Sequence, residues 1–149
     1  ETDDNRYVTD VYMDPIHYQT SSGSWKEIDN TLVADGESGW RNAANDTQVH
    51  FSEYIPSLSV AQLTLNAAPS FFSLTQDDQT IRFTPVAANV ASGVAKGNSI
   101  VYTDVYSQVD IEYSVTAKTI KEELILKEFP RMDAFSYVLE IEGGQPTLN

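Results

Sequence analysis

Apolar and polar side chains alternate along most of this chain with a period of two, the step that puts successive residues on opposite faces of a β-strand. Val109, Ile111, Tyr113 and Val115 fall on one side, with Asp110, Glu112 and Ser114 on the other. Ser99 to Tyr106 reads the same way, and Phe135, Tyr137, Leu139 and Ile141 give one face of a closing strand. Strand formers flank the small polar run Thr20–Ser24, with Val11 to Tyr18 before it and Trp25 to Leu32 after it, which predicts a hairpin. Ser70–Leu74 and Thr80–Thr84 flank a turn at Gln76–Gln79 and predict a second. Arg6–Met13 and Thr47–Phe51 read as further strands, and the broken step of Leu58, Val60, Leu63 and Leu65 reads as a bulge or strand boundary.

Other stretches are punctuation. Asp35–Gly39 has turn composition, Arg41–Asp46 reads as a polar loop, and Val86–Gly97 is rich in small residues and poorly periodic, again a loop. Residues 117–127 carry both periods: Ile120 and Leu124 sit four apart, Leu124 and Leu126 two apart. Local propensity favours helix. The β neighbours favour strand, because a lone helix of about nine residues is marginal without packing. Roughly ten short strands with frequent turns predict an all-β fold, an antiparallel β-sandwich or open barrel.

Composition narrows this further. With 149 residues and 41% hydrophobic content the chain is sized for one domain, residues 1–149, with a true core. Nine Lys and Arg against 22 Asp and Glu give a net charge of −13, which repels nucleic-acid phosphates and anionic bilayers, so neither is an expected partner. No cysteine is present, which removes disulfides, thiolate metal sites and a cysteine nucleophile. No run of about 18 apolar residues offers a membrane span. The acidic start and the linker-like Gly143-Gly144-Gln145-Pro146 are what a piece of a larger secreted protein would show.

Candidate chemistry is sparse. Trp25 and Trp40 are the two tryptophans, and an exposed indole rimmed by Asp29, Asn30, Asn45 or Asp46, with Tyr18 nearby, is a platform for a sugar face. The simpler reading of Trp25 is a buried anchor of the hairpin, since an indole carries about 150–250 Å² of surface. Most tyrosines are expected in the core with hydroxyls reaching a rim. His17 and His50 lack the spacing of a zinc motif. Asp104, Asp110 and Glu112 are the acids best placed for glycoside chemistry, which needs two carboxyls about 5–9.5 Å apart across the sugar, although an acidic chain supplies such pairs by chance. No cofactor is expected, and the acids leave room only for a structural calcium, without the Asp-x-Asp-x-Asp-Gly pattern of a dedicated loop. No phosphate-cradling glycine loop and no Gly-x-Ser-x-Gly motif occurs.

Two blocks resemble a known group of modules. Tyr7 to Leu32 carries Tyr-x-x-x-x-Tyr-x-x-Pro-Ile-His-Tyr, then Gly-x-Trp and Ile-Asp-Asn-Thr-Leu. Ile100 to Tyr113, followed by Ile120 to Leu126, carries Tyr-x-x-Val-Tyr-x-x-Val-Asp-Ile-x-Tyr and a Lys-Glu step. Both are similar to the N-terminal β-modules of secreted wall-associated and YD-repeat (Rhs-type) bacterial proteins, whose members carry glycine at the position of Gln108. The resemblance implies a secreted, all-β, non-catalytic module at the cell surface of Gram-positive bacteria. The expected role is adhesion, binding of a polysaccharide or cell-wall glycan, or a structural scaffold contacting other domains of its parent protein. Nucleic acid and membrane insertion are not expected. The alternatives are a small glycoside-processing enzyme and a protein–protein interaction module.

Overall fold

The alternating rows become the inner and outer faces of two sheets. The structure is a computed structural model that describes residues 9–36, 39–57, 70–129, 132 and 134–144. Thirteen strands are present among these residues. They begin with β1 (His17–Gln19), β2 (Trp25–Glu27), β3 (Asp29–Ala34), β4 (Gly39–Ala44), β5 (Gln48–Ser52) and β6 (Tyr54–Ile55). There follow β7 (Phe72–Gln76), β8 (Gln79–Pro85), β9 (Ala91–Lys96), β10 (Ser99–Tyr106), β11 (Val109–Val115), β12 (Ile120–Leu126) and β13 (Tyr137–Glu142). One sheet has the order β12-β11-β10-β9-β6, the other β13-β8-β7-β5-β4-β3, and β1 and β2 pair as a separate hairpin. The recorded pairings are all antiparallel, and the fold is an all-β sandwich.

The core is where the inner rows meet. Val109, Ile111, Tyr113 and Val115 of β11 are all buried, as their spacing predicts. They face Val49, Phe51 and Phe72 of the other sheet, and the aromatic rings interlock across the gap, Phe51 at 5.4 Å and Phe72 at 5.6 Å from Tyr113. Phe71 meets Tyr102 edge-on at 4.8 Å. Tyr102, fully buried, places its hydroxyl 2.6 Å from the Ser52 carbonyl and so satisfies the one polar atom it carries inside.

Both predicted hairpins form, and residues 120–126 are strand, pinned along their whole length to β11. That pairing supplies backbone partners which outweigh local helix propensity. Three expectations fail. Residues 9–13 are not strand, and Val11 and Met13 stand exposed. Arg41–Ala44, read as loop, belongs to β4, because Asn42 turns inward and its amide is consumed there: Oδ1 accepts the Val49 amide at 3.0 Å while Nδ2 donates to the Thr47 carbonyl at 2.9 Å. Ala91–Lys96, also read as loop, is β9, whose Gly93 lies directly opposite Tyr102. The predicted break over residues 58–65 lies outside the described residues.

Alternation in β10 is also less strict than the sequence reads. A register shift between Tyr102 and Tyr106 places Asp104 at φ 54°, so Tyr102, Val105 and Tyr106 all reach the core. Gln108, in the two-residue turn before β11, has φ 64°, the left-handed conformation that glycine adopts at lowest cost.

Candidate functional site

Inner-facing positions on β12 run Ile120, Glu122, Leu124 and Leu126, so a carboxylate occupies a row that should be apolar. Glu122 stands opposite Tyr113 in register and accepts hydrogen bonds from the Tyr113 hydroxyl and, at 3.1 Å, from the Tyr137 hydroxyl. Burial first, and then the Glu122 carboxylate, push both phenols above the ordinary tyrosine range, so both stay protonated as donors. Tyr106 is raised for the same two reasons, burial and the Glu122 charge.

Beside this carboxylate lies a cavity of about 440 Å³ between the two sheets. Its walls are Phe72, Leu74, Ile81 and Phe83 from one sheet and Tyr113 and Ile120 from the other. Asn45, Thr47 and Lys118, from the β4–β5 and β11–β12 connections, and Gln76 at the end of β7 also line it. The rings of Phe72, Phe83 and Tyr113 form a nearly parallel set, with interplanar angles of 29° for Phe72–Phe83 and 17° for Phe72–Tyr113. Among the described residues β12 and β13 are the outermost strands of their sheets. Inner-row side chains on these two strands are partly uncovered: Leu126 is 51% and Leu139 52% exposed.

A second, polar hollow of about 360 Å³ lies on the outer face of the six-stranded sheet, against the hairpin. Register sets Arg41 beside His50, His50 beside Ser73 and Ser73 beside Arg82, a cross-strand row running through four strands. Asp35 flanks one end, 3.5 Å from Arg41 Nε and 3.8 Å from His50 Nε2, and Glu142 holds Arg82 at 2.9 Å at the other.

The residues singled out from sequence do not assemble. Trp25 is 68% exposed on β2, not a buried anchor, whereas Trp40 packs against the core from β4. The indoles therefore make no common platform. The Trp40 ring N–H is buried with no acceptor among the described residues, as is the Asn45 Oδ1 with no donor. Asn30 accepts from Asn42 and Asn45, both at 3.1 Å, and Asp29 accepts the Thr31 amide at 2.9 Å, which lowers its pKa through side-chain and backbone hydrogen bonds from Thr31. Tyr18 lines the polar hollow beside Arg41 and His50, Asn45 lines both hollows, and Asp29 and Asn30 line a shallow one beside Ile28 and Asn98.

Two of the acids proposed for glycoside chemistry, Asp104 and Asp110, are engaged elsewhere. Lys127 Nζ lies 2.8 Å from Asp104 Oδ1 and 2.7 Å from Asp110 Oδ1, and the Asp104 amide donates to Asp110 at 2.7 Å. This clasp fixes the β10 bulge. Burial raises the Asp110 pKa, but hydrogen bonds from Lys127 and the Asp104 amide, together with the Lys127 charge, prevail and lower it. Hydrogen bonds to Asp104 and Asp110 raise Lys127. No group of three or more His, Asp or Glu among the described residues is arranged to hold a metal ion.

Sequence reasoning passed over Glu122 and the Arg41–His50–Ser73–Arg82 row. A carboxylate breaking the β12 alternation was a legible signal for the first. The row arises from pairing between strands distant in sequence and leaves no local mark.

The fold and hollows define an antiparallel β-sandwich with an open-sided apolar cavity. Along 93% of its length the chain is similar, at 24% identity, to the tRNA nuclease WapA of Bacillus subtilis strain 168. The tRNA(Glu)-specific nuclease WapA of B. subtilis subsp. natto and the tRNA3(Ser)-specific nuclease WapA of Bacillus spizizenii match with the same identity and the same share of the chain. The chain spans about 6% of the length of these curated relatives. No family profile and no solved structure matches it.

These relatives correct the functional expectation. They are named as enzymes, with tRNA in the name, which overturns the reading of a non-catalytic adhesion, glycan-binding or scaffold module without a nucleic-acid partner. The two alternatives, a glycoside-processing enzyme and a protein–protein interaction module, fall with it. The charge argument failed because net charge governs long-range attraction of one segment. It does not bound what a protein many times longer acts on.

Proposed function

We propose that this chain is a β-sandwich segment of a tRNA-cleaving protein of the WapA kind. The observation that carries the reading is the match along 93% of the chain to three nucleases of that name. The geometry supports it in one respect: Arg41 and His50 line a polar hollow on one sheet face, and Arg82 follows two strands on in the same row, although the chain as a whole is acidic and the two arginines are paired with Asp35 and Glu142. Guanidinium groups pair with phosphate oxygens through paired N–H donors. The kinship with N-terminal modules of wall-associated and YD-repeat proteins, and with it export to the cell surface, forms part of the same proposal.

A segment exchange in B. subtilis WapA tests it. Deleting the matching stretch should lower cleavage of tRNA on gels, and inserting this chain in its place should restore it. Full cleavage after deletion, or a soluble, protease-resistant chimera that leaves tRNA intact, would overturn the proposal.

A further inference from the structure

We propose that the cavity between the sheets binds a small organic cation, a primary ammonium carried on an apolar body, with the Glu122 carboxylate as its counter-ion. This site goes beyond the tRNA reading and does not depend on it.

The walls within reach of solvent are apolar. Leu74, Ile81 and Phe83 on one sheet and Ile120 on the other are half-buried and line the cavity, while Phe72 and Tyr113 behind them belong to the closed core. At about 440 Å³ the space falls within the roughly 300–1,000 Å³ of small-molecule sites. Such walls favour the body of a ligand by removing its apolar surface from water.

The sign of the ligand's charge follows from Glu122, which lines the cavity and is itself exposed. One of its oxygens accepts the Tyr113 hydroxyl and the other the Tyr137 hydroxyl, which fixes the carboxylate plane and leaves each oxygen a further acceptor position. The phenols donate hydrogen bonds but bring no charge. The lysines of the same strand and its flanking turns are committed elsewhere: Lys121 to Glu123 at 2.8 Å on the outer face, Lys118 to Asp14 at 3.8 Å, and Lys127 to Asp104 and Asp110. Asn45, 8% exposed, lines the cavity too, and its Oδ1 has no donor among the described residues. Both unmet needs are for donors, which an ammonium supplies and a carboxylate or phosphate anion does not. The net charge of −13 draws cations to the molecule and repels anions, so the long-range field and the local acceptors select the same sign.

An inward-pointing charge on an edge strand also deters pairing with another chain. That role alone gives no preference for a cation, and a titration separates the two. The 149-residue chain is titrated with 2-phenylethylammonium, 2-phenylethanol and 3-phenylpropionate, which share an aromatic body and differ in charge, while methyl signals are followed by NMR. The ammonium should bind saturably and shift Ile81 and Ile120 but not Ile125, which lies on the outer face of β12. It should bind roughly 5- to 20-fold more tightly than the alcohol, between what an exposed and a desolvated charge contact supply, and the propionate should bind weakest. Glu122→Gln should bring the ammonium and the alcohol close to equal affinity, with a melting temperature near the parent's. Glu123→Gln, the same change of charge on the outer face, should keep the preference. No saturable binding of the ammonium, equal affinity for ammonium and alcohol in the parent chain, or a preference that survives Glu122→Gln would overturn the site. Should Glu122→Gln fail to fold, the comparison of the three probes on the parent chain, with Ile120 read against Ile125, decides by itself.

Discussion

Replacing Gly93 with alanine should destabilise this protein, although a glycine inside a strand is ordinarily a weakness. Alanine usually gains roughly 0.5–1 kcal/mol there, because it has less backbone freedom to lose on folding. Gly93 lies opposite Tyr102, and a Cβ built on it falls 2.7 Å from Tyr102 Cε1 and 2.8 Å from Ile100 Cδ1. The Ile100 methyl can turn aside. The Tyr102 ring cannot, since its hydroxyl is bonded to the Ser52 carbonyl at 2.6 Å and its face is set against Phe71. Overpacking of this kind costs roughly 1–3 kcal/mol. Subtracting the backbone gain leaves a net loss of up to roughly 2.5 kcal/mol. At about 2–4 °C per kcal/mol for a chain of this size, the melting temperature should fall by up to roughly 10 °C. Val94→Ala, outward-facing and 68% exposed on the same strand, is the control and should move little. Thermal and urea unfolding of the two variants decide the matter: a Gly93→Ala chain as stable as the parent, or more so, would show that the ring is free to yield and that the packing argument is wrong.

Two further perturbations follow from the same structure. Asn42→Ala removes three hydrogen bonds at a 5% exposed side chain and leaves the Val49 amide without its acceptor, so urea denaturation should report a loss of roughly 2–4 kcal/mol; a loss under about 0.5 would mean that the site is repaired by other partners. The Asp110 carboxyl, lowered in the folded state, stabilises the protein fully above the ordinary carboxylate range, and that contribution is lost as the pH falls through the depressed value. Lys127→Met should therefore move the Asp110 titration upward by NMR and make the decline of stability below about pH 4 shallower than in the parent. Identical acid profiles would dismiss the clasp as an electrostatic element.

Local order fixed much of the fold in advance. A period of two over Val109–Val115 can bury all four apolar residues only in a strand, and the short polar turns between such runs force antiparallel neighbours. What sequence alone could not reach was anything set by pairing between distant strands. Gly39–Ala44 and Ala91–Lys96 are weak strand formers, held in strands because neighbours supply the ladder and because Asn42 finds its partners inside. The same holds for function. Trp25 and Trp40 were conspicuous by residue type, yet tertiary packing sends one to solvent and the other to the core. Glu122 acquires its setting from Tyr113 one strand away and from Tyr137 on the opposite sheet, and Arg41, His50, Ser73 and Arg82 become neighbours only through register. Periodicity is a property of the chain and can be read along it. Convergence of side chains is a property of closed sheets, and it comes into being when the two inner rows meet.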